Sequence, residues 1–310
     1  MRSTSEQLAR SICPRERLPA APCPRPQNNL TMPCRVTPRT SAHAMDEAFS
    51  LSAALAVLEQ GLEARDVPLP LLRDRLAFDA AEACLAHGGR PRPLSDLRDE
   101  VHFLRPGEQA GPARAVVGLW RKAAGRPLGV QTEGSAAAGA RVSLPVTDPG
   151  AGPVEVAATV LEAALTAAPR EIAAALVAAD VSLARAFGWS HLVPVLGIGL
   201  QRRDLTASGD EMRRACHRAV LRGATMALRT ASDLARRAAR LRAVAPKLRA
   251  RGAGAAVELF LARDALAPGI ALVGPGGMQD RAARRFCDRL VALGVVRELS
   301  GRTTSRLYGV

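Results

Sequence analysis

The sequence predicts a mainly α-helical protein: a multi-helical domain, then a long amphipathic helix and a C-terminal winged helix-turn-helix with a small β-hairpin. Its 310 residues are 48% hydrophobic but only 3% aromatic, so Ala, Leu and Val must fill the core. Ala and Leu favour helices, whereas aromatic and β-branched residues favour strands. Apolar residues recur at helical spacing from residue 46 onward, and the clearest strand-like runs lie at the end of the chain.

Composition divides the chain into three parts. Residues 1–44 contain seven Pro and no hydrophobic period, which predicts a disordered, dispensable Pro/Arg-rich tail. The patterned sequence that opens at Met45 suggests that the natural start lies there. We expect a helical domain over residues 45–200, with a Gly- and Pro-rich linker or loop at 127–152, and a basic part over residues 201–310.

The helical domain is predicted to consist of successive helices separated by Pro and Gly. Ser95 is the expected N-cap of the third helix, and Pro153 and Pro169 are expected at first helical positions. The predicted segments are 46–65, 69–85, 95–104, 112–124, 153–167 and 169–187, followed by a shorter apolar stretch at 191–200.

The longest predicted helix begins at the capping box Ser208-x-x-Glu211 and ends before Pro246. One side carries an apolar stripe, and six Arg fall within an arc of about 80° on the opposite side. Only Asp233 borders this arc, so we expect no neutralisation by ion pairs within the helix. The stripe consists of Cys216, Ala219, Val220, Ala227, Leu234, Ala238 and Leu241, and the Arg ladder consists of Arg214, Arg218, Arg222, Arg229, Arg236 and Arg240.

The Arg ladder belongs to the most basic part of the chain. The formal net charge is +14, of which residues 1–44 contribute +5, residues 45–201 contribute −4 and residues 202–310 contribute +13. A basic block of this size favours a polyanion or an acidic protein surface as partner. The ladder can contact phosphates along a polymer, and it can equally be a solvated outer face.

After Pro246 we expect a short helix over 254–263, a Gly/Pro-rich loop over 266–277, and a basic helix over 280–293 that ends at Gly294. Strand-like runs at 295–299 and 305–308 then form a hairpin. This order is typical of a winged helix-turn-helix, although 266–277 replaces a regular helix. The basic helix is expected to bury Ala283, Phe286, Leu290 and Leu293.

In such modules the second helix of the motif enters the major groove and the wing contacts the DNA backbone or minor groove. The alternative is a small helix–hairpin cap with solvated Arg side chains. The predicted DNA-binding residues are Arg281, Arg284, Arg285, Arg289, Arg302 and Arg306.

Four stretches resemble a bacterial family catalogued only as a domain of unknown function. They are Arg73–Cys84, Leu97–Pro112, Ala235–Gly254 and Val295–Val310, and the resemblance covers most of residues 46–310. The layout from Cys216 to Tyr308 is also similar to the winged-helix region of Fic-family proteins. The Fic catalytic motif begins His-Pro-Phe, and no His here precedes Pro, so adenylyl transfer is not implied.

No motif in the sequence predicts catalysis. G-x-x-x-x-G-K-[ST], H-E-x-x-H and G-x-S-x-G are absent, and the six Cys form no C-x-x-C pair. We therefore expect no enzyme, no catalytic residue, no metal and no cofactor. Without an apolar run of about 20 residues or a signal-peptide pattern, we expect a cytoplasmic protein.

The functional hypothesis is a non-enzymatic protein that binds double-stranded DNA, for example as a transcriptional regulator. The alternative is a helical interaction scaffold that docks an acidic protein partner through the Arg ladder.

Overall fold

A computed structural model describes residues 44–103, 111–128, 150–274, 277–300 and 305–310. Within these ranges the chain forms eleven α-helices and a two-stranded antiparallel sheet, which confirms the mainly α prediction. The helices are α1 (Ala44–Glu63), α2 (Leu69–His87), α3 (Leu94–His102), α4 (Pro112–Gly125), α5 (Pro153–Ala167), α6 (Ile172–Ala186), α7 (Val195–Gly199), α8 (Gly209–Val244), α9 (Ala253–Phe260), α10 (Pro268–Ala271) and α11 (Asp280–Ala292); the strands are β1 (Arg297–Glu298) and β2 (Tyr308–Gly309). The predicted tail, apart from its last residue, and most of the 127–152 loop lie outside the described residues.

Helix α8 is the longest element and organises the helical part. Its 36 residues extend for about 54 Å at 1.5 Å per residue. It packs against α1, α5 and α7, so its buried face belongs to the core of the preceding helices. Every residue of the predicted apolar stripe is buried, which confirms that face. Of the described helices, none combines the length and apolar character that crossing a membrane requires.

The crossing of α7 and α8 depends on two glycines. A Cβ at Gly223 would lie 1.9 Å from the carbonyl oxygen of Val195, and a Cβ at Gly199 would lie 1.9 Å from that of Ala219. Both distances are far below van der Waals contact, so any side chain would push the two backbones apart. The helices therefore approach at a distance that only glycine permits.

Two predicted helix starts and one predicted capping bond differ from the structure. Ser95 is not an N-cap, because α3 begins at Leu94, whose amide donates to the Glu82 carboxylate at 3.0 Å. Ser208 occupies the N-cap position of α8, but its side chain makes no capping bond; the Gly209 amide donates to Glu162 of α5 at 3.1 Å. A carboxylate from a neighbouring helix suits the positive end of the helix dipole and replaces the local hydroxyl. Pro169 lies in the turn before α6 rather than at its first position.

The C-terminal residues build a small helical module with a sheet edge. Leu266 exchanges backbone hydrogen bonds with Tyr308 at 2.8 and 2.9 Å, and β2 pairs with β1 in the register Arg297↔Gly309. Leu266 therefore pairs with one edge of β2 and β1 pairs with the other, and α11 leads into β1. The loop predicted over 266–277 contains one helical turn, α10, which the sequence prediction did not include.

Gly294, at φ 68°, follows the last turn of α11, as predicted. The prediction for Leu293 is wrong, since this side chain is 45% exposed. Helix α11 ends at Ala292, and Leu293 is the C-cap residue, so it has left the buried stripe. Cys287 lies one turn after Ala283 and is fully buried instead.

A buried ion-pair network fixes this module to the first helices. The Asp264 side chain is 0% exposed and accepts hydrogen bonds from Arg75 of α2 and, at 2.6 Å, from Arg98 of α3. Burial alone would raise the pKa of Asp264, but the two guanidinium groups hold this pKa below its usual value. The Asp264 amide also donates to the Asp74 carboxylate at 2.9 Å. Ion pairs and a backbone hydrogen bond therefore both join the C-terminal module to α2 and α3.

Candidate nucleic-acid interface

The solvent face of α11 carries four arginines. Asp280 lies in the first turn, where a carboxylate favours the helix N-terminus. The inward positions hold Ala283, Phe286, Cys287 and Leu290, which are all buried. The remaining positions face solvent, and the structure places all four predicted residues of this helix there: Arg281, Arg284, Arg285 and Arg289.

Two of these arginines make weak local contacts. Arg284 forms an exposed ion pair with Asp280 at 3.1 Å, and Arg285 Nε donates to the Arg281 carbonyl at 3.3 Å. Exposed ion pairs of this kind contribute about 0–1 kcal/mol, so a phosphate or base can replace them. Arg281 and Arg289 have no carboxylate partner among the described residues.

A cleft of about 670 Å³ lies between α11 and the segment that follows α8. Among the described residues, its walls carry four cationic side chains and no carboxylate. The cleft opens to solvent, so an anion can enter it, and the four surrounding cations would attract that anion. The lining residues are Lys247, Leu248, Arg249, Ala250, Ala282, Arg285, Phe286 and Arg289. We call this the basic cleft.

Sequence reasoning missed Lys247 and Arg249. The sequence signal was available, since Lys247–Arg251 holds three basic residues directly after Pro246. What the sequence could not show is that this segment returns to α11. The structure brings it beside Arg285 and Arg289, so the basic surface of α11 extends beyond the helix itself.

The wing residues are placed differently from the helix residues. Arg302 lies outside the described residues. Arg306 is exposed, but its guanidinium lies 3.8 Å from Asp288 and 3.7 Å from Glu298. Asp288 also accepts a hydrogen bond from the Tyr308 hydroxyl at 3.0 Å. Arg306 is therefore partly neutralised, which reduces its attraction for a phosphate.

The Arg ladder of α8 is exposed at five of its six positions. Arg222 is the exception: it is half-buried and donates to the Gly199 carbonyl at 2.9 Å and to Asp204 at 3.3 Å. Burial, the largest influence, lowers its pKa. Arg236 pairs with Asp233 at 2.9 Å. The expectation of no ion pair within the helix is therefore wrong at Arg236, because Asp233 precedes it by three residues. The partner of Arg222 comes from outside the helix, since Asp204 lies in the 3₁₀ turn before α8.

Perturbed pKa values elsewhere arise from packing. Burial raises the pKa of Asp79 to about 6 and lowers that of His102 to about 4. The charges of Arg75 and Arg98, the two arginines that hold Asp264, oppose the rise in the pKa of Asp79. Within the described ranges, no group of three His, Cys, Asp or Glu side chains could hold a metal ion.

Comparison with known proteins identifies a family. The chain matches the family described as "Protein of unknown function (DUF1403)" over residues 25–310 and belongs to it. This match starts 20 residues upstream of Met45, inside the predicted tail. No curated protein and no solved structure matches the chain, so the similarity to the winged-helix region of Fic-family proteins stays a prediction.

Proposed function

We propose that this member of the DUF1403 family is a non-enzymatic protein that binds double-stranded DNA, acting in the cytoplasm as a transcriptional regulator. One observation carries the proposal: the solvent face of α11 presents four arginines and continues into the basic cleft, whose described lining residues include no carboxylate. An α-helix fits the major groove, and Arg can bind the guanine edge with two hydrogen bonds.

The arrangement of the C-terminal module supports this proposal. Helices α10 and α11 precede a hairpin whose second strand also pairs with Leu266. A winged helix-turn-helix combines a helix pair with a hairpin in this order. Helix α10 is a single turn, so the motif is shorter here than a regular helix pair. The proposed recognition helix is α11.

The positions of the cations suggest a division of contacts. Arg281 and Arg285 lie on the solvent face of α11 and would contact bases. Lys247, Arg249 and Arg289 line the basic cleft and would contact phosphates along the backbone. Arg285 lines the same cleft from the solvent face of α11 and would reach from it to a base edge. Arg302 of the wing belongs to the same proposal as a backbone or minor-groove contact.

The test is fluorescence anisotropy of labelled duplex DNA with the full chain, because α8 packs on the preceding helices and should not be cut from them. The duplexes are a preferred site selected from a random library and a random sequence. Arg285→Ala should weaken binding to the preferred site by about 1–3 kcal/mol, and weaken the random duplex less. The double variant Lys247→Gln/Arg249→Gln should weaken both duplexes equally.

Arg170→Gln is the matched control, since Arg170 is an exposed arginine in the turn between α5 and α6, outside the basic cleft. It should bind both duplexes like the wild type. If Arg285→Ala binds both duplexes as tightly as Arg170→Gln does, α11 is not the recognition helix.

A second candidate function rests on the Arg ladder. Five of its guanidinium groups are exposed along α8, which favours docking of an acidic protein partner. On this alternative, Arg214→Gln and Arg218→Gln would abolish partner binding while DNA binding by α11 stays unchanged. If these two variants remove DNA binding instead, the ladder is the DNA surface.

A further inference from the structure

A second basic cleft lies between the C-terminal half of α8 and the hairpin. It has a volume of about 330 Å³ and is separate from the basic cleft, with which it shares no lining residue. We call it the seam cleft, because its walls come from the helical part and from the C-terminal module. Its lining residues are Asp233, Arg236, Arg237, Arg240, Gly294, Val295, Arg297 and Val310.

The charges in the seam cleft are not balanced. Asp233 is shared by Arg236 at 2.9 Å and Arg237 at 2.7 Å. Arg240 and Arg297 have no carboxylate partner among the residues that the structure describes. Asp233 is the one carboxylate side chain among the described lining residues, so the four guanidinium groups leave a surplus of positive charge.

The unpaired arginines come from opposite walls, Arg240 from α8 and Arg297 from β1. Burial and then the nearby charge of Arg237 lower the pKa of Arg297. Each guanidinium is a planar fork of donors that matches the oxygens of a phosphate. An anion between them would relieve the repulsion and satisfy donors on both walls.

We propose that the seam cleft binds the phosphate group of a small molecule, either free phosphate or a phosphate monoester, with Arg240 and Arg297 as the binding residues. The surplus of positive charge favours a phosphate monoester, which carries between one and two negative charges near neutral pH. The volume lies at the lower end of the range for small-molecule sites. The proposal does not depend on DNA binding, since it uses no residue of α11.

The experiment is isothermal titration calorimetry of the full chain at pH 7.5 and constant ionic strength. The probes are inorganic phosphate, ribose 5-phosphate and succinate. We expect saturable binding of at least one phosphate probe. Arg240→Gln and Arg297→Gln should each raise its Kd at least tenfold, while Arg170→Gln, at an exposed arginine in the turn between α5 and α6, should leave it unchanged.

A thermal unfolding scan of each variant without ligand checks folding. Arg240 is exposed and unpaired within the described ranges, so Arg240→Gln keeps the test valid if Arg297→Gln fails to fold. Tighter binding of inorganic phosphate than of ribose 5-phosphate would identify the free ion as the ligand, and the reverse order would identify an organic phosphate; both support the proposal.

Four results would overturn it. The first is no saturable binding of either phosphate probe, and the second is tighter binding of succinate. The third is that Arg170→Gln weakens binding as much as Arg240→Gln. The fourth comes from a parallel anisotropy titration of duplex DNA. If Arg240→Gln weakens duplex binding as much as it weakens phosphate binding, the seam cleft belongs to the DNA surface and the proposal is wrong. Loss of duplex binding in Arg285→Ala alone concerns only the proposed function.

Discussion

Asp264→Asn removes the charge that joins the C-terminal module to α2 and α3. The Asp264 side chain is 0% exposed, and those of Arg75 and Arg98 are 15% and 9% exposed. Arg does not lose its proton in proteins, so the substitution leaves two nearly buried cations facing a neutral amide. Breaking a buried ion pair by removing one partner costs about 3–5 kcal/mol. We expect Asp264→Asn to lower the free energy of unfolding by that amount at pH 7.

The matched control is Asp233→Asn. Asp233 also accepts from two arginines, Arg236 and Arg237, but its side chain is 39% exposed. Solvent screens these pairs, so this variant should lose only about 0–1 kcal/mol. The contrast between the two carboxylates therefore isolates the effect of burial.

The assay is urea unfolding followed by circular dichroism, with the slopes compared to confirm that all variants unfold in the same manner. A loss below about 1 kcal/mol for Asp264→Asn, or a loss equal to that of Asp233→Asn, would contradict the network. Because the pKa of Asp264 is held below its usual value, the difference between wild type and Asp264→Asn should be full above about pH 4. It should shrink as the pH falls through the folded-state pKa.

Three further predictions concern packing and titration. Gly223→Ala should destabilise the protein, because its Cβ would strike the Val195 carbonyl. The control Gly118→Ala has open space around the new Cβ and should be neutral or stabilise by up to about 1 kcal/mol. Equal midpoints of thermal unfolding for the two variants would contradict the close helix crossing. Burial raises the pKa of Asp180 to about 8, so the folded state keeps a proton that the unfolded state loses above about pH 4. Wild type should therefore be more stable relative to Asp180→Asn at pH 5 than at pH 9. Urea titrations at the two pH values measure this difference in the free energy of unfolding. Three cysteines are buried, namely Cys84, Cys216 and Cys287. Thiol reagents should label these three residues only as fast as the protein unfolds, and faster labelling of them would contradict their burial.

Periodicity predicted the helices well because each buries one face. The stripe of α8 from Cys216 to Leu241 and the four exposed arginines of α11 follow directly from a spacing of 3.6 residues per turn. Gly294 was predictable as well, because a left-handed residue after a helix favours glycine.

Contacts between distant segments could not be predicted in this way. Ser95 and Ser208 have the local sequence of caps, but carboxylates from other helices supply the bonds. Asp264 pairs with Arg75 across 189 residues of chain, and a single sequence carries no periodic signal for such a pair. The basic cleft and the seam cleft are products of the same long-range folding, which is why Lys247 and Arg297 were missed.

The most direct test of the account is the salt dependence of duplex binding by the full chain. Four phosphate contacts, from Lys247, Arg249, Arg289 and Arg302, predict a slope of log affinity against log salt of about −3.6. The affinity should therefore fall about 150-fold between 50 mM and 200 mM salt, and Lys247→Gln/Arg249→Gln should reduce the slope to about −1.8. A wild-type slope near zero, or a Kd weaker than about 10⁻⁴ M at physiological salt, would contradict the assignment of α11 and the basic cleft to DNA.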